Sequence, residues 1–182
     1  MVEALRDGND RYDVVVISTG GTIEKTYDEG EGTLTNRSSV LKDKILSKLR
    51  LPYTYLHVFS IINKDSLDFT DYDRSLLAKT IDAQMVKGDP VVVLHGTDTM
   101  AKSAEYCLKN LKNLPVPVVF TGAMKPMGFE DSDAKQNVTE ALLAAKLLPP
   151  GIYISFHNRI FKVPGVRKNR AQRTFEAIEG NN

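Results

Sequence analysis

The sequence predicts an α/β domain in which an open, mostly parallel sheet is flanked by helices on both faces, the three-layer arrangement of Rossmann-like and flavodoxin-like folds. First, Val14 to Ile17 form an unbroken β-branched run, which is typical of a strand covered on both faces. Second, apolar strand-like runs alternate with segments of helical periodicity. Third, no internal repeat, linker or shift in composition marks a second domain. We therefore expect one domain over residues 1–182, with flexible ends at 1–12 and 178–182.

The first predicted strand ends in a loop of hydroxyl residues and paired glycines. Gly20 and Gly21 can adopt backbone conformations that residues with a Cβ enter only at a cost. The loop can therefore hold the Thr22 hydroxyl and nearby amide groups against a small ligand. It has neither the G-x-G-x-x-G spacing of a dinucleotide loop nor the G-K-[ST] ending of a P-loop, so nothing marks it as a nucleotide site.

Residues 27–62 are expected to form a lid, a helix and a strand. The stretch from Tyr27 to Thr35 is rich in glycine, acidic and hydroxyl residues, which is typical of a mobile loop. A helix capped by one of two serines, at 38 or 39, is expected to end at Pro52. Residues 53–62 are aromatic and β-branched, and they predict the second strand.

The middle of the chain predicts two helices separated by a strand. Thr70 and Asp73 form a capping-box pattern that begins a helix reaching Gly88. Residues 91–94 are fully apolar and predict a strand, and a helix follows it to about Asn110.

The last third of the chain predicts two more strands and a hairpin around a further helix. The expected elements are strands over 116–120 and 151–156, a helix over 133–148, a hairpin over 157–163, a basic segment over 166–173 and an apolar plug at Phe175.

Composition favours a soluble domain whose function comes from a local site. The 24 Lys and Arg residues nearly balance 23 Asp and Glu, so the net charge of +1 gives no reason to expect nucleic acid or a membrane as partner. The lone Cys107 lies among apolar residues at helical spacing, which favours a buried thiol over a nucleophile. No apolar run has signal-peptide or membrane-spanning length, and we expect a cytoplasmic location.

The predicted topology gathers polar residues at one edge of the sheet. Open parallel sheets bind ligands outside the carboxyl ends of their strands. The residues that follow four predicted strands and should surround one crevice are Thr22, Ser66, Thr97, Asp98 and Thr121.

Hydroxyls, a carboxylate and a candidate lysine at one crevice are the groups that acyl transfer requires. The three histidines lie on separate segments without metal-ligand spacing, and no G-x-S-x-G motif marks a serine hydrolase, so we expect no metal and a threonine nucleophile.

A threonine needs a base within hydrogen-bond reach, and two pairings are open: Thr22 with Tyr27, and Thr97 with Lys168 beside Asp98. A neighbouring carboxylate favours the charged lysine whereas burial favours the neutral amine. Lys162 is a rival for the lysine role.

Two motifs, Thr19 to Ile23 (TGGTI) and His95 to Met100 (HGTDTM), resemble the signature motifs of the bacterial-type L-asparaginases. The resemblance extends from Val14 to Phe175. The other segments that carry it are Asp65-Ser66, residues 121–126, Asp133 with Asn137, and Val166-x-Lys168. It implies an asparaginase N-terminal-domain-like fold and hydrolysis of the asparagine side-chain amide to aspartate and ammonia, without metal or cofactor.

The resemblance also implies roles for single residues. Thr22 would be the first nucleophile, assisted by Tyr27, while Thr97, Lys168 and Asp98 would form a second catalytic set. Asp98 would receive the substrate ammonium and Ser66 its α-carboxylate, and backbone amides near Thr97 and Ala123 would stabilise the oxyanion. The substrate-binding set that the resemblance implies is Gly21, Asp65, Ser66, Thr97, Asp98 and Ala123.

Two departures from the family pattern affect the expected substrate binding. Leu67 stands where many relatives carry a glutamine. The sequence also resembles a short, single-domain form without the C-terminal domain that completes a neighbouring subunit's site. We therefore expect weaker substrate binding than in two-domain relatives, and a homodimer or homotetramer. The alternatives are a glutaminase or other small-amide hydrolase, and a catalytically silent module that binds asparagine or aspartate.

Overall fold

The fold is described from a computed structural model that covers residues 11–21, 25–28, 33–36 and 46–178, with the backbone alone for 25–28, 33–36 and 47. The strands are β1 (Tyr12–Gly20), β2 (Lys25–Asp28), β3 (Thr33–Asn36), β4 (Thr54–Lys64), β5 (Val91–Leu94), β6 (Pro117–Thr121), β7 (Gly151–Phe156), β8 (Arg159–Lys162), β9 (Val166–Asn169) and β10 (Thr174–Ala177). The helices are α1 (Asp71–Met85), α2 (Met100–Asn110) and α3 (Ala134–Leu147).

The main sheet has six strands in the order β4-β1-β5-β6-β7-β8. All neighbouring pairs are parallel except β7 and β8, which are antiparallel. The predicted open, mostly parallel sheet is confirmed. Its strand order reverses between β1 and β5, and in such sheets that reversal opens a ligand crevice at the carboxyl ends of the strands.

Alternate residues of the central strands face two separate apolar clusters. In β1, Val15 and Ile17 pack into the cluster that contains residues of α1 and α2, whereas Val14 and Val16 pack into the cluster that contains residues of α3. Because successive side chains of a strand point to opposite faces, a continuous apolar run is the sequence pattern of a strand buried on both faces. Cys107 is fully buried in the first cluster, as expected.

The end of β4 is tied to the start of α1 by a capping box. The Thr70 hydroxyl accepts from the Asp73 amide while the Asp73 carboxylate accepts from the Thr70 amide, and Lys64 Nζ lies 2.8 Å from the same carboxylate. Burial alone would raise the pKa of Asp73, but the hydrogen bonds from Lys64 and Thr70 lower it to about 2. These contacts fix the segment between β4 and α1 beside the crevice.

The structure corrects several predictions about the first third of the chain. Within the proposed lid at 27–35, β2 and β3 pair as antiparallel strands, and residues 29–32 lie outside the described part. The described end of the proposed 38–52 helix is a single 3₁₀ turn, Leu46–Lys48, and residues 37–45 lie outside the described part. Tyr12 belongs to β1 rather than to a flexible end, since its amide donates to the Tyr53 carbonyl.

The second strand is longer than predicted and lies at the sheet edge. It runs to Lys64 and pairs with β1 at the edge of the sheet, and its side chains from Thr54 to Phe59 alternate between partly buried and exposed. His57 in this strand is half-exposed, and its Nε2 lies 2.7 Å from Asp13 Oδ1. The other two histidines contact different residues, His95 the Gly96 carbonyl and His157 the Asp133 carboxylate. No helix in the described part of the chain is long and apolar enough to cross a membrane.

Candidate active site

Three loops meet at the carboxyl end of the sheet through glycines that leave no room for a side chain. Gly21, directly after β1, has φ +88°, and a Cβ there would lie 2.6 Å from Gly96 Cα. Gly96, after β5, is equally tight, since its own Cβ would lie 2.6 Å from Ser66 Oγ. The loops that follow β1, β4 and β5 are therefore in direct contact at the point where the strand order reverses.

The centre of the candidate site is a hydrogen-bonded group formed by Thr97, Asp98 and Lys168. Lys168 Nζ donates to Thr97 Oγ1 at 2.7 Å and to Asp98 Oδ1 at 3.1 Å. Thr97 is 3% exposed, and the side chains of Lys168 and Asp98 are 17% and 21% exposed. A hydroxyl, an amine and a carboxylate are thus held together in a largely desolvated position, where electrostatic interactions are stronger than in water.

Lys168 lies in the hairpin of β9 and β10, 71 residues after its contact Thr97 in the sequence. Lys168 is the cross-strand partner of Phe175. Phe175 is fully buried, with its ring 5.0 Å from that of Phe156 in β7. The apolar plug expected at Phe175 therefore anchors the hairpin to the main sheet and sets the position of Lys168.

Arg170 is a second cation at Asp98, and sequence reasoning did not predict it. Its Nη2 lies 2.7 Å from Asp98 Oδ1, the same oxygen that accepts from Lys168, and its side chain is 73% exposed. The only signal in the sequence was the basic composition of residues 166–173. Composition alone does not reveal which of those cations turns toward the carboxylate.

Asp133 organises the loop that follows β6. Its carboxylate accepts from the backbone amides of Met124 and Lys125, each at 3.0 Å, and lies 2.9 Å from His157 Nε2. Burial alone would raise the pKa of Asp133, but these backbone amides and His157 hold it below its usual range. Ala123, in the same loop, is 1% exposed.

Asn137 and His157 connect this loop to β10. The buried Asn137 amide donates to the Gly122 carbonyl and accepts from the His157 backbone N–H. His157 Nδ1 in turn lies 3.1 Å from Thr174 Oγ1, at the start of β10. The pairing of Asp133 with Asn137 was expected only through the family resemblance. The place of His157 was missed, because its partners are 17 to 24 residues away.

His95 packs against the loop that follows β5. It is fully buried, its ring centroid lies 4.6 Å from that of Phe69, and Nδ1 lies 2.8 Å from the Gly96 carbonyl oxygen. Burial lowers the pKa of His95 to about 4, so the imidazole is neutral at pH 7. Its Nε2 has no hydrogen-bond partner among the described residues. His95 therefore packs as an aromatic ring beneath Gly96 and Thr97.

Ser66 presents a buried hydroxyl without a partner among the described residues. It is 1% exposed, and its carbonyl accepts from Thr99 Oγ1 at 2.7 Å. Asp65 precedes it and caps the short 3₁₀ turn, since Oδ1 accepts from the Leu67 amide at 3.1 Å. The Leu67 side chain is 65% exposed. A buried hydroxyl that lacks a protein partner is a suitable group for a polar ligand to engage.

The structure brings together some of the predicted site residues and leaves others apart. Thr121 was expected at the crevice, but this is wrong: its side chain is fully buried, and Oγ1 donates inward to the Asn137 carbonyl at 3.5 Å. Lys162 is exposed on β8, whereas Lys168 contacts Thr97. Thr22 lies outside the described residues, and the backbone of Tyr27 lies in β2.

Metal binding receives no support from the described part of the chain. No group of three or more His, Cys, Asp and Glu side chains there could hold a metal ion. The chemistry of the candidate site is that of hydroxyls, one carboxylate and cationic side chains, which suits acyl transfer to or from a threonine oxygen.

The fold and this donor set are compatible with acyl transfer at a threonine oxygen. The sequence matches the asparaginase N-terminal family over residues 13–182, and the chain belongs to the asparaginase family. Within that family it is similar to the bacterial-type L-asparaginases.

Individual relatives agree with this assignment. The chain is 31% identical over 150 residues to an L-asparaginase of Thermococcus kodakarensis, a match that covers 81% of this chain and 44% of that protein. The solved structure of the thermostable L-asparaginase from Thermococcus kodakarensis superposes with a TM-score of 0.83 at 29% identity, covering 93% of this chain and 52% of that one.

A relative with a different name is also similar. A component of the glutamyl-tRNA(Gln) amidotransferase of Haloquadratum walsbyi is 35% identical over 147 residues, which is 79% of this chain and 33% of that protein. The chain thus spans less than half the length of these two sequence relatives.

Proposed function

We propose that the protein hydrolyses L-asparagine to L-aspartate and ammonia. The observation that carries the proposal is the contact of Lys168 with both Thr97 and Asp98 where the strand order reverses. Relatives named L-asparaginase support the substrate assignment.

The proposed reaction uses two threonines. The Thr22 hydroxyl attacks the side-chain carboxamide carbon, and its proton passes to the amide nitrogen. The C–N bond then breaks, ammonia leaves, and water hydrolyses the resulting ester to aspartate and the free Thr22 hydroxyl. Thr22 directly follows Gly21 in the sequence, and Gly21 lies against Gly96. Thr97 and Lys168 act as the second set, in which the 2.7 Å contact provides a route for proton movement near the reacting carbon. Tyr27 assists Thr22.

Substrate recognition in this proposal uses charge and hydrogen bonding. Asp98 receives the α-ammonium. The Ser66 hydroxyl, which has no hydrogen-bond partner among the described residues, donates to the α-carboxylate. The amides of Met124 and Lys125 are engaged by Asp133, so we assign the oxyanion contact in that loop to the Ala123 amide. Gly21 and Asp65 contribute backbone groups around the same pocket.

We favour Lys168 over Lys162 as the catalytic lysine because, among the described contacts, only Lys168 reaches Thr97.

We also propose a homodimer or homotetramer in the cytoplasm. Native mass measurement of the purified protein tests the assembly, and a monomer at micromolar concentration would contradict it.

A second candidate function is hydrolysis of glutamine or another small amide. It is favoured by the similarity to the amidotransferase component, which shares this part of the sequence. Glutamine is one methylene longer than asparagine, and one methylene changes discrimination by about 1–3 kcal/mol. Comparing kcat/KM for asparagine and glutamine separates the two, and a preference for glutamine would overturn the asparagine assignment.

The test of the proposed function is ammonia release from purified protein supplied with L-asparagine. We expect Thr22→Ala and Thr97→Val each to lower kcat by at least about 10²-fold, because the former removes the proposed nucleophile and the latter a proton-transfer group, and such groups contribute about 10²–10⁴. Thr80→Val is the matched control, since the Thr80 hydroxyl donates to the Leu76 carbonyl of its own helix. Binding of asparagine without ammonia release by the wild type would identify a silent binding module instead.

A further inference from the structure

Asp98 carries two cations on one carboxylate oxygen, and this affects what else it can bind. Lys168 Nζ lies 3.1 Å from Asp98 Oδ1, and Arg170 Nη2 lies 2.7 Å from the same atom. One negative charge therefore faces two positive ones. The local net charge around Asp98 is therefore already positive, and repulsion between like charges at short range opposes the binding of a third cation.

The two cations differ in how firmly they are held. Lys168 is 17% exposed, and its Nζ is also hydrogen bonded to Thr97. Arg170 is 73% exposed, lies in the turn between β9 and β10, and forms its ion pair with Asp98. Exposed ion pairs are weak, because solvent and salt screen the two charges. Arg170 is therefore the cation that an incoming ligand would displace.

We infer that Arg170 is a specificity-determining residue that competes with a substrate's α-ammonium for Asp98 and shifts the preference of the site toward amides that lack this group. The inference rests on the proposed function, in which Asp98 receives the α-ammonium. Removing Arg170 should selectively improve the binding of ligands that carry an α-ammonium. The matched ligand without that group should not benefit.

Ligand pairs isolate this effect from the general loss of a positive charge. L-aspartate and succinate are both four-carbon dicarboxylates, and only the former has an α-ammonium. Loss of a cation weakens the binding of both through their carboxylates, so the ratio of their dissociation constants reports the ammonium contact. The chain supplies a matched control variant in Arg167, which lies in β9, is 65% exposed and pairs with Glu176 rather than Asp98.

The experiment is calorimetric titration of L-aspartate and succinate into the wild type, Arg170→Gln and Arg167→Gln. For Arg170→Gln, the ratio of the aspartate to the succinate dissociation constant should fall by about two- to five-fold, the range expected for one exposed ion pair. For Arg167→Gln, it should stay unchanged. The effect should shrink in 1 M salt, because the Debye length falls from about 10 Å at 0.1 M to about 3 Å.

Kinetics provide a second readout. Arg170→Gln should lower KM for L-asparagine relative to KM for succinamate, its analogue without the α-ammonium, and should leave the ratio of the two kcat values in place. An unchanged or oppositely shifted binding ratio overturns the inference. Absence of ammonia release by the wild type counts against the proposed function alone, since the binding ratios still decide the role of Arg170. Failure of both dicarboxylates to bind any of the three proteins overturns both.

Discussion

Replacing Gly21 by alanine tests whether close contact between the β1 and β5 loops is needed for activity. An alanine Cβ at this position would lie 2.6 Å from Gly96 Cα and 2.7 Å from Gly96 N, whereas ordinary contacts begin at 3.4 Å. Both opposing atoms belong to the backbone, so no side chain can rotate away. The loops must separate by about 0.8 Å, the difference between 3.4 and 2.6 Å.

The displacement predicts a specific size of effect on catalysis. A misplacement of about 1 Å in a catalytic constellation can lower the rate by about 10²-fold. The φ of +88° adds a conformational cost, since a residue with a Cβ pays about 1–2 kcal/mol in the left-handed region. We expect Gly21→Ala to lower kcat/KM for L-asparagine by about 10²-fold and the melting temperature by several degrees.

Gly88→Ala is the control for the conformational cost. Gly88 follows α1 with φ +80°, and no atom lies within 4 Å of the position that its Cβ would take. This variant should lose about the same 1–2 kcal/mol of stability and keep its activity. The assays are ammonia release under steady-state conditions and thermal unfolding followed by circular dichroism. Full activity in Gly21→Ala, or an equal loss in both variants, would refute the reasoning.

Two further predictions concern the residues that support the site. The pKa of His95 is about 4 in the folded state and about 6.5 in the unfolded state, so the unfolded state binds a proton first as the pH drops. The free energy of unfolding should therefore fall by about 3 kcal/mol between about pH 6.5 and about pH 4. Urea unfolding at several pH values should show a smaller pH dependence in His95→Gln, and an unchanged dependence would contradict the assignment. Asp133→Asn weakens the charge-assisted bonds to the Met124 and Lys125 amides and should cost about 1.5–3 kcal/mol. Urea unfolding at pH 7 measures it, and a loss below about 0.5 kcal/mol would show that the charge is not needed.

The parallel sheet could be predicted because each of its strands is specified by a short, continuous stretch of sequence. Val91 to Leu94 form a short run without polar residues, and the strand they form is fully buried on both faces. The capping box of Thr70 and Asp73 was likewise predictable, since both partners lie within one helical turn. Once the strands are parallel, their following loops must meet at one edge.

Features that depend on distant partners could not be predicted in this way. Arg170 is 72 residues from Asp98, and its approach depends on the turn between β9 and β10, where Arg173 has φ +52°. Thr121 was expected after its strand, as Thr97 is, yet it is the last residue of β6 and its side chain turns inward to the Asn137 carbonyl. The position of a residue after a strand predicts its neighbourhood. The direction of the side chain depends on packing that a single sequence does not contain.

The hairpin of β2 and β3 shows a different limit. Its sequence is rich in glycine and acidic residues, which favours a loop, but Thr26 and Tyr27 pair with Thr35 and Leu34 in an antiparallel ladder. Threonine and tyrosine favour strands, and in these two segments that preference prevails over the glycine-rich and acidic composition of the whole stretch.

The contact of Lys168 with Thr97 is most directly tested by single-turnover ammonia release from L-asparagine with Lys168→Met and Lys162→Met. Both variants lose one lysine charge and keep an unbranched side chain, but only Lys168 contacts Thr97 and Asp98. We predict a fall of at least about 10²-fold in the single-turnover rate for Lys168→Met and a rate near that of the wild type for Lys162→Met. Equal rates in the two variants would contradict the assignment of this crevice as the site of amide hydrolysis.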